Sequence, residues 1–222
     1  MKKAVVLLSG GLDSATSLYW ALSKGYKCFC LVFDYNQRHK KEIKRARLIA
    51  KRAKCLHKTL KIGLSGCGSS LVDKNMAVPK KIGAKAIPST YVPGRNIIFL
   101  SFAASYAESI KADTIIIGAN QLDYSNYPDC RLEFLKAFQD AVKKGTRSGV
   151  MGNSLRIIAP LLNKTKAQII KLAVKLGAPI RLTWSCYMGG PKPCGECPSC
   201  IIRKKGFREA GVKDIAPTLR LW

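Results

Sequence analysis

The chain has 222 residues, of which 47% are hydrophobic, so it is long enough to bury the core of one α/β domain with or without an appendage. Its 39 Lys and Arg against 13 Asp and Glu give a formal net charge of +26, which indicates an anionic partner or a heavily solvated surface. No apolar run is long enough to span a membrane, and the five apolar residues after Met1-Lys2-Lys3 are too few for a signal peptide, so we expect a cytoplasmic protein whose nine cysteines stay reduced.

The first predicted elements are a buried strand at residues 4–8 and a helix that starts at Asp13, joined by a sharp Ser-Gly-Gly turn. Adjacent glycines let the backbone come close to a ligand, and the first N–H groups of a helix lack internal partners, so this loop suits a phosphate group. The hydroxyls of Ser9, Ser14 and Thr16 add donors, and the Asp13 carboxylate is suited to Mg²⁺. Spacing alone leaves an ordinary strand-to-helix turn as an equal alternative.

The residues S-G-G-L-D-S at positions 9–14 resemble the SGGxDS signature of the PP-loop ATP pyrophosphatases. The segment is not a Walker loop, since no Gly-Lys-Ser/Thr closes it, and it is not a dinucleotide fingerprint, since G-x-G-x-x-G is absent. The resemblance implies a doubly wound parallel α/β sheet of the PP-loop, or adenine nucleotide alpha hydrolase-like, type and activation of a carbonyl oxygen by adenylation. It also implies that ATP with Mg²⁺ is bound by Leu8, Ser9, Gly10, Gly11, Leu12, Asp13, Ser14, Ala15, Thr16, Ser17 and Leu18.

The next elements are a strand at residues 27–35, apolar on both faces like an interior parallel strand, a basic helix within residues 38–54, and a strand at residues 55–62. Nine Lys or Arg of the basic segment accompany a lone acidic residue, Glu42, and a narrow apolar stripe leaves the cations on the solvent side. Because no aromatic residues interleave with these cations, we expect nucleic acid to bind only nonspecifically.

Residues 34–39, D-Y-N-Q-R-H, follow the second strand at the edge of the sheet where open α/β folds bind ligands. They resemble the DYGQRH motif of the 7-cyano-7-deazaguanine (preQ0) synthases, with Asn36 in place of a glycine, and Asn tolerates a left-handed backbone. We interpret His39 as an ordinary loop histidine, because no feature of the sequence supplies it with an orienting carboxylate. His57 is expected to be a packing or surface residue.

A long irregular connection at residues 63–90 is typical of a lid or a binding element. It leads to Y-V-P-G-R-N at residues 91–96, which also resembles a motif of these synthases, and to a predicted helix at residues 97–110. Arg95 suits a carboxylate or a phosphate, and an arginine that merely completes the turn is the alternative.

A predicted strand at residues 113–118 precedes the segment A-N-Q-L-D-Y-S-N-Y-P-D-C-R, whose clustered polar groups we expect to face a ligand. The segment resembles the GxNxxDxSGYPDCR motif of the synthases, with Asn126 in place of a glycine. This is the most specific match in the chain.

The remaining elements of the main domain are a helix at residues 132–147, a strand at residues 155–161 and a helix at residues 165–176 that ends at Gly177. A PLxxxxK pattern that is common among PP-loop enzymes ends at Lys166 and implies that this lysine contacts the phosphates of the nucleotide. The alternative is a solvated lysine, although a cation in the first turn of a helix opposes the helix dipole and needs an anion.

Four cysteines lie close together near the C-terminus, and three of them have C-x₂-C-x₂-C spacing with Gly and Pro between them, so they can converge on a tetrahedral metal ion. An iron–sulfur cluster is the competing reading, but a ferredoxin run would continue with a further cysteine three residues on. We therefore favour one structural Zn²⁺ per chain, bound by Cys186, Cys194, Cys197 and Cys200.

The motifs together span residues 9–200, and their resemblance to the preQ0 synthases implies an ATP-dependent carbon–nitrogen ligase of queuosine biosynthesis. Such an enzyme converts 7-carboxy-7-deazaguanine and ammonia to 7-cyano-7-deazaguanine through adenylated acid and amide intermediates. The resemblance further implies a homodimer, with a PP-loop domain at residues 1–180 and a zinc-binding lobe at residues 181–222. The catalytic residues that it implies are Asp13, Arg95, Asp123, Asp129 and Lys166.

Two alternatives from other classes stay open. One is a PP-loop enzyme that modifies tRNA, such as a tRNA thiolase, in which the basic surface would hold tRNA and a spare cysteine would carry sulfur. The other is a zinc-ribbon module that binds nucleic acid, in which the loop at Ser9 would be incidental. The sequence shows no added RNA-binding domain, which counts against the first, and the phosphate loop counts against the second.

Overall fold

The computed structural model describes residues 2–80, 87–121 and 127–215, and its strands form one sheet in which every neighbouring pair is parallel. The strands are β1 (Lys3–Leu7), β2 (Lys27–Asp34), β3 (Leu56–Lys61), β4 (Thr114–Ile116) and β5 (Arg156–Ile158). Their order across the sheet is β3-β2-β1-β4-β5, so β1 is central and β3 and β5 are the edges.

The helices pack on both faces of this sheet. The α-helices of the described residues are α1 (Leu12–Ser23), α2 (Lys41–Arg52), α3 (Arg95–Ser109), α4 (Leu132–Gly145), α5 (Arg147–Val150), α6 (Lys166–Lys175) and α7 (Pro198–Ala210). Val6 of β1 lies in a core cluster with α1 and α2, whereas Val5 lies in a cluster with α3 and α4, because successive strand side chains point to opposite faces. The predicted doubly wound parallel α/β sheet is therefore confirmed.

The direction in which successive strands are added across the sheet reverses at β1. Strands β2 and β3 lie on one side of β1, and β4 and β5 lie on the other. In such sheets a crevice opens at the carboxyl ends of the two strands that flank the reversal, because their following loops leave in opposite directions. Here those loops follow Leu7 of β1 and Ile116 of β4. The fold thus brings the predicted phosphate loop beside residues 117–120.

Several element boundaries differ from the prediction. The fourth and fifth strands are limited to three residues each, and the helix predicted at residues 132–147 is divided into α4 and α5. The division falls at Thr146, whose backbone is extended and whose Oγ1 accepts a hydrogen bond from the N–H of Gly149 at 3.1 Å. A threonine that caps a new helix in this way ends the preceding one.

Helix α2 is amphipathic as predicted, with Ile43, Ala46, Ile49 and Ala50 buried, but one of its cations is on the core side. Arg45 is only 4% exposed, so the expectation that all the basic side chains of this segment face solvent is wrong for this residue. The connection between β3 and α3 contains no helix or strand in its described residues, in agreement with the irregular connection predicted there.

The C-terminal helix α7, which the sequence analysis did not predict, packs against α6. Phe207 and Ala210 of α7 share a buried cluster with Ile169 and Ile170 of α6, so the residues after 180 complete part of the main core. The division into domains at residues 1–180 and 181–222 stays a prediction. Within the described residues, no helix is both long and apolar enough to cross a membrane.

The turn after β1 is held tightly against α2. Gly10 has φ +89°, and a Cβ at this position would lie 2.2 Å from the carbonyl oxygen of Glu42 and 2.7 Å from the backbone nitrogen of Ala46. The other side of the turn is fixed by a 2.9 Å hydrogen bond from the N–H of Trp184 to the carbonyl oxygen of Gly10. Only glycine fits both the dihedral angle and the space.

Gly10→Ala should therefore lower the free energy of unfolding by about 2 to 4 kcal/mol, since it adds both backbone strain and a clash with the backbone of α2. Gly25→Ala is the matched control: Gly25 also has positive φ, +76°, but no atom of the described residues lies within 4 Å of the added Cβ. We expect a loss of about 1 kcal/mol for the control from strain alone. Urea denaturation measures both, and equal losses would contradict the close contact.

Candidate functional site

The loop between β1 and α1 is organised by two serines. Ser14 Oγ lies 3.0 Å from Ser9 Oγ, accepts a hydrogen bond from the N–H of Ser9 and donates one to the carbonyl of Gly11. The N-cap residue of α1 is Gly11, which has no side chain to cap the helix, so the first N–H groups keep their capacity to bind an anion. The positive end of the helix dipole adds to the attraction, and the loop is therefore a suitable phosphate site.

Of the eleven residues predicted to bind ATP, Gly10 lies against the backbone of α2, and the other ten divide into two groups. The first lines a cavity of about 270 Å³ at the carboxyl ends of the strands: Leu8, Ser9, Gly11, Leu12, Asp13 and Ser14. The second lies within α1, and each side chain in it is 0% exposed: Ala15, Thr16, Ser17 and Leu18. The expectation that the Thr16 hydroxyl serves as a ligand donor is wrong, because this hydroxyl donates to the carbonyl of Leu12 at 2.8 Å.

Asp13 and Lys166 form an ion pair on the floor of the cavity. Lys166 Nζ lies 2.7 Å from each carboxylate oxygen of Asp13, and Asn120 Nδ2 donates to Oδ2 of the same carboxylate at 3.2 Å. The Lys166 side chain is 14% exposed and the Asp13 side chain is 25% exposed, so both charges are partly shielded from water. Lys166 is the first residue of α6, where its charge opposes the helix dipole, and Asp13 supplies the anion that this position needs.

An aromatic pocket forms the other end of the cavity. Phe33 and Phe99 stack with their ring centroids 4.0 Å apart, and Tyr35 lies 5.5 Å from Phe99 in a tilted arrangement. Arg95 extends over the Tyr35 ring at 5.8 Å, and its guanidinium donates to the Tyr35 hydroxyl at 3.4 Å. Burial raises the pKa of Tyr35 to about 12, so this phenol stays neutral and leaves the charge of Arg95 available to an anion.

Asp129 lies behind this pocket. Its side chain is 5% exposed, its Oδ2 accepts the backbone N–H of Asn96 at 2.9 Å, and the Asn96 amide donates back to the Asp129 carbonyl at 3.3 Å. The carboxylate therefore caps the N-terminus of α3, where it fixes the position of Arg95. A catalytic role for Asp129 stays a prediction, and Asp123 lies outside the described residues.

The structure also shows a pair that the sequence analysis missed. His39 is 4% exposed and lines the cavity, and its Nε2 lies 3.2 Å from Oε1 of Glu42. The expectation that His39 is an ordinary loop histidine is therefore wrong, because it is buried and a carboxylate contacts its ring. The sequence did contain a signal for this pair. His39 and Glu42 are three residues apart where α2 begins, and residues with this spacing can meet on one face of a helix.

The four predicted cysteine ligands converge on one point. Their Sγ atoms all lie within 4.8 Å of one another, and three of the four side chains are buried. A tetrahedral Zn–S distance of about 2.3 Å requires sulfur atoms about 3.8 Å apart, so the cluster fits a metal ion of this size after a small contraction. Hydrogen bonds with Cys197 and Cys200 hold the pKa of Cys186 well below its usual range, which favours the thiolate form that binds a cation.

Comparison with known proteins decides the family. The model for "Queuosine biosynthesis protein QueC" matches residues 3–211. The chain belongs to this family. It is 55% identical over 215 residues to the 7-cyano-7-deazaguanine synthase of Acetivibrio thermocellus, covering 96% of each protein. It is 50% identical over 216 residues to the 7-cyano-7-deazaguanine synthase of Thermoplasma volcanium, covering 96% of this chain and 89% of the relative.

Solved structures of other proteins share the fold of this QueC family member. NMN synthetase from Francisella tularensis aligns with a TM-score of 0.52 at 16% identity, over 96% of this chain and 78% of that one. A 4-thiouridine synthetase in complex with RNA and ATP aligns with a TM-score of 0.50 at 20% identity, over 95% of this chain and 50% of that one. At such low identities the likeness shows the fold alone, and it agrees with the predicted doubly wound parallel α/β sheet.

The ion pair gives a prediction that separates stability from chemistry. Asp13→Asn should lower the free energy of unfolding by about 2 kcal/mol, because it leaves the shielded charge of Lys166 without its partner. The double variant Asp13→Asn/Lys166→Met should recover most of this loss, since no charge is then unpaired. Neither variant should cleave ATP if both side chains bind the nucleotide. Full ATP cleavage by the double variant would show that neither Asp13 nor Lys166 is needed to bind the nucleotide.

The cysteine cluster gives a second prediction. The purified protein should hold one metal ion per chain, and Cys197→Ser should lose both the metal and thermal stability, because a structural site contributes folding free energy directly. Cys67→Ser is the control, since Cys67 lies outside the cluster. Elemental analysis and thermal denaturation measure the two effects. A Cys197→Ser protein that kept its full metal content would contradict the assignment of this ligand.

Proposed function

We propose that this chain is a 7-cyano-7-deazaguanine synthase, an ATP-dependent carbon–nitrogen ligase that converts 7-carboxy-7-deazaguanine and ammonia to the nitrile. The main structural support is that one cavity joins the phosphate loop at Ser9 to the aromatic pocket under Arg95. A planar acid in the pocket and a nucleotide at the loop would then have their reacting groups side by side. The family membership supports the choice of substrate.

The reaction needs two activations at this site. A carboxylate is a poor electrophile, so its oxygen first attacks the α-phosphate of ATP and pyrophosphate leaves. Ammonia then adds to the carbonyl carbon of the acyl adenylate, and AMP leaves to give the amide. A second ATP adenylates the amide oxygen, and loss of AMP together with the remaining N–H protons gives the nitrile. Holding the reactants together in one cavity removes most of the entropic cost of each encounter.

The side chains of the cavity suit these steps. The stacked Phe33 and Phe99 rings and Tyr35 offer apolar surface to a flat heterocycle, and the Arg95 guanidinium can pair with its carboxylate. At the other end, Asp13 and Lys166 present opposite charges that match Mg²⁺ and a phosphate oxygen. On nucleotide binding, Asp13 would exchange Lys166 for Mg²⁺, and Lys166 would exchange Asp13 for a phosphate oxygen.

For the cysteine cluster we propose structural Zn²⁺. All four donors are sulfur, which favours Zn²⁺ over oxygen-seeking cations, and the full set of four leaves no open position for catalysis. The ion would anchor the start of α7, where Cys200 lies, and the segment that carries Trp184. Homodimer formation, ammonia as the nitrogen donor and cytoplasmic location stay predictions.

The alternative is a PP-loop enzyme that acts on tRNA. The 4-thiouridine synthetase structure shares the fold but not close sequence similarity, whereas relatives about 50% identical over nearly the whole chain are 7-cyano-7-deazaguanine synthases. The two functions differ in their response to salt. A ligand that neutralises several phosphates loses orders of magnitude in affinity between about 50 and 200 mM salt, whereas a single carboxylate cannot.

The deciding assay supplies 7-carboxy-7-deazaguanine, ammonium and MgATP without RNA. We expect the nitrile as product with the amide as a transient, and about two AMP per nitrile, since each activation consumes one ATP. The KM for the acid should change only modestly across this salt range. Mass spectrometry follows the bases and chromatography follows AMP. A requirement for tRNA, or sulfur in the product, would overturn the proposed function.

A further inference from the structure

His39 occupies an unusual place in the cavity. Its side chain is 4% exposed, its Nε2 is paired with Glu42, and within the described part of the chain its buried Nδ1 has no hydrogen-bond partner. A buried polar atom without a partner is unfavourable, so the unpaired Nδ1 calls for an explanation beyond packing. The ordinary loop histidine expected from the sequence does not meet this description.

The surroundings fix which nitrogen carries the proton. An ionised carboxylate only accepts hydrogen bonds, so Nε2 of a neutral His39 donates to Glu42 and Nδ1 keeps its lone pair. Glu42 is itself held, because Gln37 Nε2 donates to the same Oε1 at 3.3 Å. Gln37 is fixed in turn at the end of β2, where its Oε1 accepts the N–H of Tyr35 at 2.9 Å. The imidazole is therefore held in one orientation by a rigid support, with Nδ1 as the nitrogen that makes no hydrogen bond.

The pair also lies beside the phosphate loop. The carbonyl oxygen of Glu42 is the atom that a Cβ on Gly10 would meet at 2.2 Å, so the first turn of α2 touches the loop directly. Glu42 and His39 line the same cavity as Ser9 and Arg95. The His39–Glu42 pair therefore lies in the wall of the cavity that joins the phosphate loop to the aromatic pocket.

We propose that His39 is the general base of this reaction, acting through Nδ1, and that Glu42 is its positioning residue. This inference rests on the proposed function. In the first round the lone pair of ammonia forms the C–N bond, the C–O bond to AMP breaks with its electrons leaving on the phosphate, and Nδ1 takes a proton from the nitrogen. In the second round one amide N–H proton passes to solvent as the amide oxygen is adenylated. Nδ1 then takes the other N–H proton as the C–O bond to AMP breaks and the C≡N bond forms. Solvent reclaims each proton.

The test separates adenylation from proton transfer. His39→Gln keeps an amide donor for Glu42 but removes the base, so we expect amide and nitrile formation to fall by about 10² to 10⁴-fold. Exchange of labelled pyrophosphate into ATP, driven by the acid, reports adenylation alone and should stay at the wild-type rate. A purely structural role would lower both rates together. Glu42→Gln should slow the same step by a smaller factor and leave exchange intact.

The matched control is His57→Gln, which alters the other histidine of the chain at an exposed position on β3 and should leave both rates unchanged. Metal content and melting temperature verify that each variant is folded. If His39→Gln is unfolded, His39→Ala with added imidazole decides the matter, since a lost base is restored by a free one. Restoration of amide formation supports the inference, and its absence in folded protein overturns it.

The outcomes also separate this inference from the proposed function. A wild-type protein that does not convert the acid refutes the function itself. A wild-type protein that makes the nitrile while His39→Gln makes it at the same rate leaves the function standing and refutes the role of His39. Loss of pyrophosphate exchange in His39→Gln, with the fold retained, likewise refutes the general-base assignment, because that step precedes the attack of ammonia.

Discussion

The close contact between Gly10 and the first turn of α2 is the constraint on which the rest of the site depends. The absence of a Cβ lets the turn after β1 sit against the backbone of Glu42, and a hydrogen bond from Trp184 holds it from the opposite side. With the turn fixed, the N–H groups at the start of α1 point to one place. The same contact brings Glu42 and His39 beside the loop, so one small residue aligns the phosphate site and the histidine.

Electrostatic balance explains the second feature of the site. A lysine at the start of a helix is unfavourable by itself, and a partly shielded aspartate is unfavourable without a counter-charge. The ion pair between Lys166 and Asp13, with 2.7 Å between Nζ and Oδ2, offsets both of these unfavourable terms. The pair thus places two opposite charges in the cavity wall. In the proposed binding mode, a magnesium–phosphate complex would replace this ion pair with two others.

The sequence predicted the elements of this fold because their signals are local. Apolar runs and helical periodicity located the strands and long helices, and Asn36 has the left-handed backbone, φ 65°, expected from its place in the motif. The missed features depend on contacts between distant residues. Nothing local shows that Asp129 caps α3 or that α7 completes the core beside α6. The His39–Glu42 pair was visible as a spacing, but its meaning required knowing where α2 begins.

Part of the high positive charge lies on the edge strands of the sheet, where it affects how two copies can associate. Edge strand β3 exposes Lys58 and Lys61 beside Leu56, which is 68% exposed, and edge strand β5 exposes Arg156. An open edge offers unpaired backbone groups to any other strand, and hydrophobic side chains along it promote aggregation. On the β5 edge the charge of Arg156 is paired with Asp113 at 3.7 Å, so the net charge of this kind lies on the β3 edge. The β3 lysines disfavour the edge-to-edge approach of a second copy, and dissolved ions weaken this repulsion because they screen it.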